Sequence, residues 1–239
     1  MSATGRGAQR VANDFYPTPA WALRRLLDTH VFDFPDALGE WLEPCAGNGA
    51  LIQATEEHFN TVQHTAPGYP HWTANELRPE AHPYLQQTLA VARSYIGDFR
   101  ACPPPVTCDH PQYGPYQVIL TNPSFALTME IIEWALPRTR HLVLLQRLNY
   151  LETPARQPFF TEYMPDVYVL PNRPSFSLNK EGKLGTDATA YAWFHWPTDE
   201  IRDGRTGKIQ VLGLTPDAEL QEARAVQRAW YRQLGLLKE

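Results

Sequence analysis

Short apolar runs, each closing on a polar turn, alternate along this chain with segments whose apolar residues recur at helical spacing. That alternation constrains the fold more than any other feature. Strands separated by helices cannot join by hairpins, so they pair in parallel, with helices packed over the sheet. The runs are Trp41-Leu42, residues 72–76, Tyr95-Ile96, 116–121 (Val118, Ile119, Leu120), 141–146, 167–170 and 191–196. Helices are expected at 20–29, where Trp21, Leu23, Leu26 and Leu27 share a face, and at 50–59, 81–92, 127–136 and 216–237. Residues 61–70, the proline-rich 101–115 and the polar 171–189 read as loops.

The chain has 239 residues, enough for one domain with a small appendage. The organisation expected is a flexible arm over 1–13, a main domain over 14–215 and a C-terminal helix over 216–239 packed on it. Three cysteines without a repeated spacing build no disulfide framework, and a reducing, cytoplasmic setting follows as the simplest expectation. Cys102, Cys108 and His110 are too loosely spaced for a zinc site, so no metal is expected. No apolar stretch is long enough to span a membrane. The net charge of -5 counts against a nucleic-acid partner, yet 138–183 is locally basic, with Arg138, Arg140, Arg147, Arg156, Arg173, Lys180 and Lys183.

The chemistry gathers at the ends of the runs. Glu43-Pro44-Cys45-Ala46-Gly47-Asn48-Gly49 is a strand, a tight glycine turn and a helix start, the place where open α/β sheets bind ligands. Gly47 and Gly49 let backbone approach a ligand closely. Position 52 is Ile, so the third glycine of a dinucleotide fingerprint is missing and a nicotinamide oxidoreductase is disfavoured. Glu76 closes the next run, where an acid can accept ribose hydroxyls. Asp98, followed by Phe99, closes the third, where a carboxylate can accept from an adenine amino group and a ring can pack on the base. Each acid taken singly is equally an ordinary strand-end or turn residue.

The fourth run ends in Asn122-Pro123-Ser124-Phe125. In order and spacing these pieces resemble the amino-methyltransferases of DNA, whose signature is Asp/Asn/Ser-Pro-Pro-aromatic, with Ser124 replacing the second proline. Asp14-Phe15-Tyr16-Pro17-Thr18-Pro19 looks like the family's N-terminal cofactor segment, and the likeness runs from about Asp14 to Trp196. The resemblance implies a Rossmann-like class I methyltransferase: a mostly parallel seven-stranded sheet with helices on both faces. It implies S-adenosylmethionine as cofactor, held by Tyr16, Pro17, Thr18, Glu43, Pro44, Gly47, Gly49, Glu76, Asp98, Phe99 and Asn122. It implies DNA as partner, with Asn122, Pro123, Ser124 and Phe125 catalytic and Phe125, Phe176 and Arg173 contacting substrate. The layout suits an adenine-N6 enzyme like the small ones of phages and prophages, as a monomer, with either a solitary or a restriction-linked role open.

The chemistry asks for little beyond alignment. An exocyclic amino nitrogen is a poor nucleophile because its lone pair delocalises into the ring. Two acceptors on its hydrogens turn that lone pair outward, toward a methyl group already activated on a sulfonium. A base in a duplex must be flipped out, and an aromatic plate offsets part of the unstacking. Ser124 could hold its turn by a local side-chain bond. The same logic serves N4-cytosine, RNA bases and protein glutamine, and a non-catalytic binding protein of this fold stays open.

Overall fold

The apolar runs assemble into one sheet. The computed structural model describes residues 17–32, 39–62, 70–88, 91–103, 114–178, 184–185, 189–235 and 237. The expected arm over 1–13, Tyr16, Cys108, His110, Lys180 and Lys183 fall outside the described residues.

In chain order the elements are α1 (Ala20–Leu27), β1 (Glu40–Glu43), α2 (Ala50–Val62), β2 (His71–Glu76), α3 (His82–Gln87), β3 (Val91–Ile96), β4 (Tyr116–Thr121), α4 (Thr128–Ala135), β5 (Thr139–Arg147), α5 (Gln157–Glu162), β6 (Asp166–Val169), β7 (Ser177–Leu178), β8 (Leu184–Gly185), β9 (Tyr191–Pro197), α6 (Thr198–Arg202), β10 (Ile209–Val211) and α7 (Asp217–Gln233). The strand order is β10-β6-β9-β5-β4-β1-β2-β3. β1 to β5 run parallel, β9 is antiparallel to both β5 and β6, and β10 joins β6 in parallel. β7 and β8 make a separate two-stranded ladder.

The sheet therefore has eight strands where seven were expected. The addition is β10, whose three residues are all exposed, so its sequence carries no buried apolar run to betray it. The helix expected over 81–92 ends at Gln87, and β3 begins at Val91. β3 is an edge strand with only partly covered side chains, so Val91 to Tyr95 lacks the continuous apolar signal of a buried strand. The expected loop over 171–189 contains β7 and β8.

Side chains alternate across the sheet and split its core in two. Trp41, Trp72, Val118, Leu120, Val143, Leu145 and Trp193 face α1 and α2, meeting Trp21, Leu23, Leu26, Leu51 and Ile52. Leu42, Ile119, Leu142, Leu144, Phe194 and Trp196 face the other way, toward Ile131 and Ile132 of α4 and Phe160 of α5. Each fully buried Leu or Ile contributes roughly 1.5–3 kcal/mol, so β4, with Val118, Ile119 and Leu120 all at 0% exposure, is an anchor of both layers. The Trp193 indole also donates to the Ala22 carbonyl at 2.8 Å, tying β9 to α1.

α7 lies on the α1 side. Arg24 and Arg25 both reach Glu219, at 3.2 and 3.1 Å, and Leu220 and Ala223 pack on the first core. The Tyr231 hydroxyl donates to the Phe176 carbonyl at 2.7 Å. Among the described residues no helix is long and apolar enough to cross a membrane, and no group of three or more His, Cys, Asp or Glu is placed to hold a metal.

Candidate active site at the switch point of the sheet

From β1 the chain steps outward through β2 to β3, then returns to lay β4 on β1's other side. Connections leave the two sides of β1 in opposite directions, which opens a crevice above the carboxyl ends of β1 and β4. A cavity of about 310 Å³ occupies it. Its walls come from the turns after β1, β2, β3 and β4, together with Pro17 and Thr18 before α1.

The β1 turn is shaped by its glycines. Gly47 and Gly49 take φ of 56° and 78°, the left-handed region that side chains disfavour. A Cβ on Gly49 would meet Thr88 Oγ1 at 3.0 Å. Glu76 fastens the same turn from β2: Gly47 N–H donates to its Oε2 at 2.8 Å, and Arg78 donates to its Oε1 through both N–H (3.1 Å) and Nε (2.8 Å). Among the described residues, Gly47 N–H is the donor to Oε2. Asn75 staples three turns together. Its carbonyl accepts from Ala46 N–H at 2.8 Å, and its amide donates to the Pro44 and Gly97 carbonyls at 3.3 and 3.0 Å.

Glu43 closes β1 and is 3% exposed, yet its Oε2 has no hydrogen-bond partner among the described residues. Burial, reinforced by Glu76, holds its carboxyl well above the usual carboxylate range. A buried carboxyl without a protein partner, on the wall of a cavity, can pair with a donor or cationic group of a bound molecule. Cys45 lies beside both acids. Burial and those charges push its thiol up to about 12, so it offers no thiolate nucleophile.

Asp98 caps the short turn Phe99–Ala101 by accepting from Arg100 N–H at 2.9 Å, and the Arg100 guanidinium grips the same carboxylate. These bonds hold Asp98 down to about 2. Phe99 is buried against Trp134 of α4, ring centroids 5.2 Å apart, while still lining the cavity.

The catalytic segment expected from sequence sits at the end of β4. The Asn122 amide Nδ2 donates to Thr18 Oγ1 at 3.0 Å, joining positions 104 residues apart. That bond leaves Asn122 Oδ1 as the acceptor. Pro123 is buried beneath the turn. Ser124 holds the turn through its main-chain carbonyl, which accepts from Leu127 N–H (3.0 Å) and Thr128 Oγ1 (3.2 Å) at the start of α4, and not through the side-chain bond expected from sequence. Phe125 stands out at the rim, 42% exposed, with the Arg147 guanidinium 4.1 Å from its ring centre.

The structure therefore brings Pro17, Thr18, Glu43, Pro44, Gly47, Glu76, Asp98, Phe99, Asn122 and Ser124 to one cavity wall. Gly49, Pro123 and Phe125 are not on that wall: they shape the β1 turn, support the β4 turn and form the rim. Phe176 is elsewhere. It packs against Tyr191, ring centroids 5.0 Å apart, and against the first core, with Arg173 exposed nearby in the chain. Sequence reasoning passed over Asn75, Arg78 and Arg100, and took Arg147 only as one of several basic residues. A signal for two of them was present: Glu76-x-Arg78 and Asp98-x-Arg100 repeat one spacing at the ends of neighbouring strands.

No protein-family model matches the chain, and no curated protein matches it by sequence. Solved structures do match. A candidate class I S-adenosylmethionine-dependent methyltransferase from Listeria monocytogenes superposes with a TM-score of 0.55 at 12% identity, over 92% of this chain and 73% of that one. A type I restriction-modification methyltransferase subunit from Streptococcus thermophilus gives 0.55 at 11%, over 93% of this chain and 55% of its own. A candidate RNA methyltransferase from Pyrococcus horikoshii gives 0.51 at 13%, over 80% and 92%. Identities this low speak to architecture alone, and the architecture is the Rossmann-like class I methyltransferase fold.

Proposed function

Given a class I methyltransferase fold, we propose that this protein transfers a methyl group from S-adenosylmethionine to an exocyclic amino group in nucleic acid, with the N6 of adenine in DNA as the acceptor. One observation carries the reading. Thr18 fixes Asn122 at the mouth of the switch-point cavity with Oδ1 as acceptor, and an exposed aromatic, Phe125, stands beside it.

The cavity's residues fit the cofactor. Its volume is of the size that takes a nucleoside-sized ligand. Glu43 Oε2, buried and lacking a donor, suits the ammonium of the methionine end. Glu76 Oε2 has room for a ribose hydroxyl beside Gly47 N–H, and Asp98 with Phe99 flanks the adenine end. The bound cofactor supplies an activated methyl on a positively charged sulfur. A cation bound there would draw the buried Glu43 carboxyl toward its ionised form, which supplies the complementary sign.

The protein's remaining work is alignment. Asn122 Oδ1 and the Pro123 carbonyl accept the two amino hydrogens, turning the nitrogen lone pair toward the donor. Phe125 provides the plate on which the base rests. With Ser at position 124, the turn is tied to α4 through the main-chain carbonyl.

The test is transfer from labelled S-adenosylmethionine to unmethylated DNA, followed by nucleoside mass spectrometry. N6-methyladenine is the expected product. N4-methylcytosine would keep the mechanism and change the base. Label entering only RNA or protein would overturn the DNA assignment, and absence of cofactor binding would overturn methyl transfer altogether.

A further inference from the structure

Beyond the β4 turn, on the side away from the cavity, the carboxyl end of β5 meets the start of β9. Arg147 and Tyr191 are paired there across the ladder, and Leu148 N–H donates to the Ala190 carbonyl at 2.9 Å. An open depression of about 480 Å³ lies at this edge, lined by Leu148, Asn149, Leu151, Glu152, Thr189 and Ala190. Arg147 stands between it and the catalytic turn. Its guanidinium lies over Phe125 at 4.1 Å, and its Nε donates to the Tyr191 hydroxyl at 3.3 Å.

We propose that Arg147 is an acceptor-strand recognition residue: seated on Phe125 and steadied by Tyr191, it takes the phosphate beside the acceptor base, while the depression beyond it takes a neighbouring nucleotide. The proposal rests on the methyl-transfer reading and names the class of acceptor, a nucleic-acid strand.

The argument is one of matched chemistry. A guanidinium carries its donors in its own plane, so a ring beneath its face does not block them. Phe125 remains 42% exposed with Arg147 in place, so ring surface is still open to a base. An aromatic plate and an adjoining guanidinium together meet the two invariant parts of a nucleotide, its flat base and its anion. A protein glutamine side chain offers neither. Arg147 stands across Asn122 from the donor cavity, whose acids Glu76 and Asp98 are already paired with Arg78 and Arg100. The depression adds apolar Leu148 and Leu151 with the polar Asn149, Thr189 and Glu152, a mixture suited to a base and its edge.

The experiment compares the intact wild-type protein with Arg147→Gln and Arg147→Lys. Binding of a fluorescent DNA duplex is measured across a salt series, KM and kcat for the same DNA are taken, and S-adenosylmethionine affinity is followed by calorimetry. Arg147→Gln is expected to weaken DNA binding and raise KM by about tenfold, and to lower the slope of log affinity against log salt by about one. Cofactor affinity stays within about twofold, which shows the fold intact, and Arg147→Lys restores the salt slope. Unchanged DNA affinity and salt slope in Arg147→Gln, with only kcat reduced, would make Arg147 a mere brace for Phe125 and overturn the proposal. Wild-type protein with no salt-dependent DNA binding would overturn it as well. Failure of the methyl-transfer reading shows separately, as wild-type protein that binds no cofactor.

Discussion

The two halves of the sheet are built on opposite plans. Over β1, β2 and β3 the strand-end turns are knotted to one another: Asn75 bridges two of them to its own, Glu76 holds Gly47, and Arg78 and Arg100 each grip an acid two residues back. Over β5 and β9 the surface is open, with a shallow depression, an exposed Phe125 and Asn149 on the outside. A donor that is the same small molecule at each turnover favours a preorganised pocket, whereas a polymer must enter, be read and leave. On the proposed function the closed half holds the methyl donor and the open half the acceptor, with Asn122 at the border.

The largest effect that could break this division is at the border itself. Asn122→Ala removes the acceptor for the target amino group and should lower the transfer rate about 100- to 1000-fold. Single-turnover rates at saturating cofactor check it, and near-normal rates would remove Asn122 from the mechanism. On the open side, Phe125→Leu should cost about 1–3 kcal/mol of acceptor binding, read as a raised KM for DNA with cofactor affinity unchanged.

On the closed side, Gly49→Ala forces a Cβ into a left-handed turn and against Thr88, and should destabilise the fold by about 1–2 kcal/mol. Denaturant melts measure it. The last effect belongs to Glu43 and shows as a pH dependence. Its folded-state carboxyl holds its proton where the unfolded one has released it. Its contribution to stability is therefore present below the ordinary glutamate range and is lost as pH rises above it. Melts of ligand-free protein from about pH 5 to about pH 8 should show wild-type stability declining relative to Glu43→Gln. Parallel curves would contradict a buried, proton-holding Glu43.

The same contrast explains what the sequence could reveal. β4 is found where its apolar run placed it, because Val118, Ile119 and Leu120 are buried from both faces and nothing else accommodates them. The acids Glu43, Glu76 and Asp98 were legible because strand ends converge at a switch point in any such sheet. Asn75 was not, since its worth lies in carbonyls that reach it only after β1, β2 and β3 pair. β3 and β10 were obscured by their exposure at the sheet's edges. Arg147 read as one of several surface cations until the antiparallel β9 set Tyr191 beside it and the β4 turn laid Phe125 beneath it. Phe176 packs on Tyr191 and the first core, outside the switch-point cavity.

The division of labour is tested most directly by titrating S-adenosylmethionine into wild-type protein, Glu76→Ala and Asn122→Ala in a calorimeter. Wild type and Asn122→Ala alike should bind one-to-one, with Glu76→Ala weakened about tenfold or more, since it loses a ribose acceptor and the brace on Gly47 together. Binding that survives Glu76→Ala unchanged while Asn122→Ala abolishes it would contradict the placement of the donor over β1 and β2, and with it the reading of the two halves.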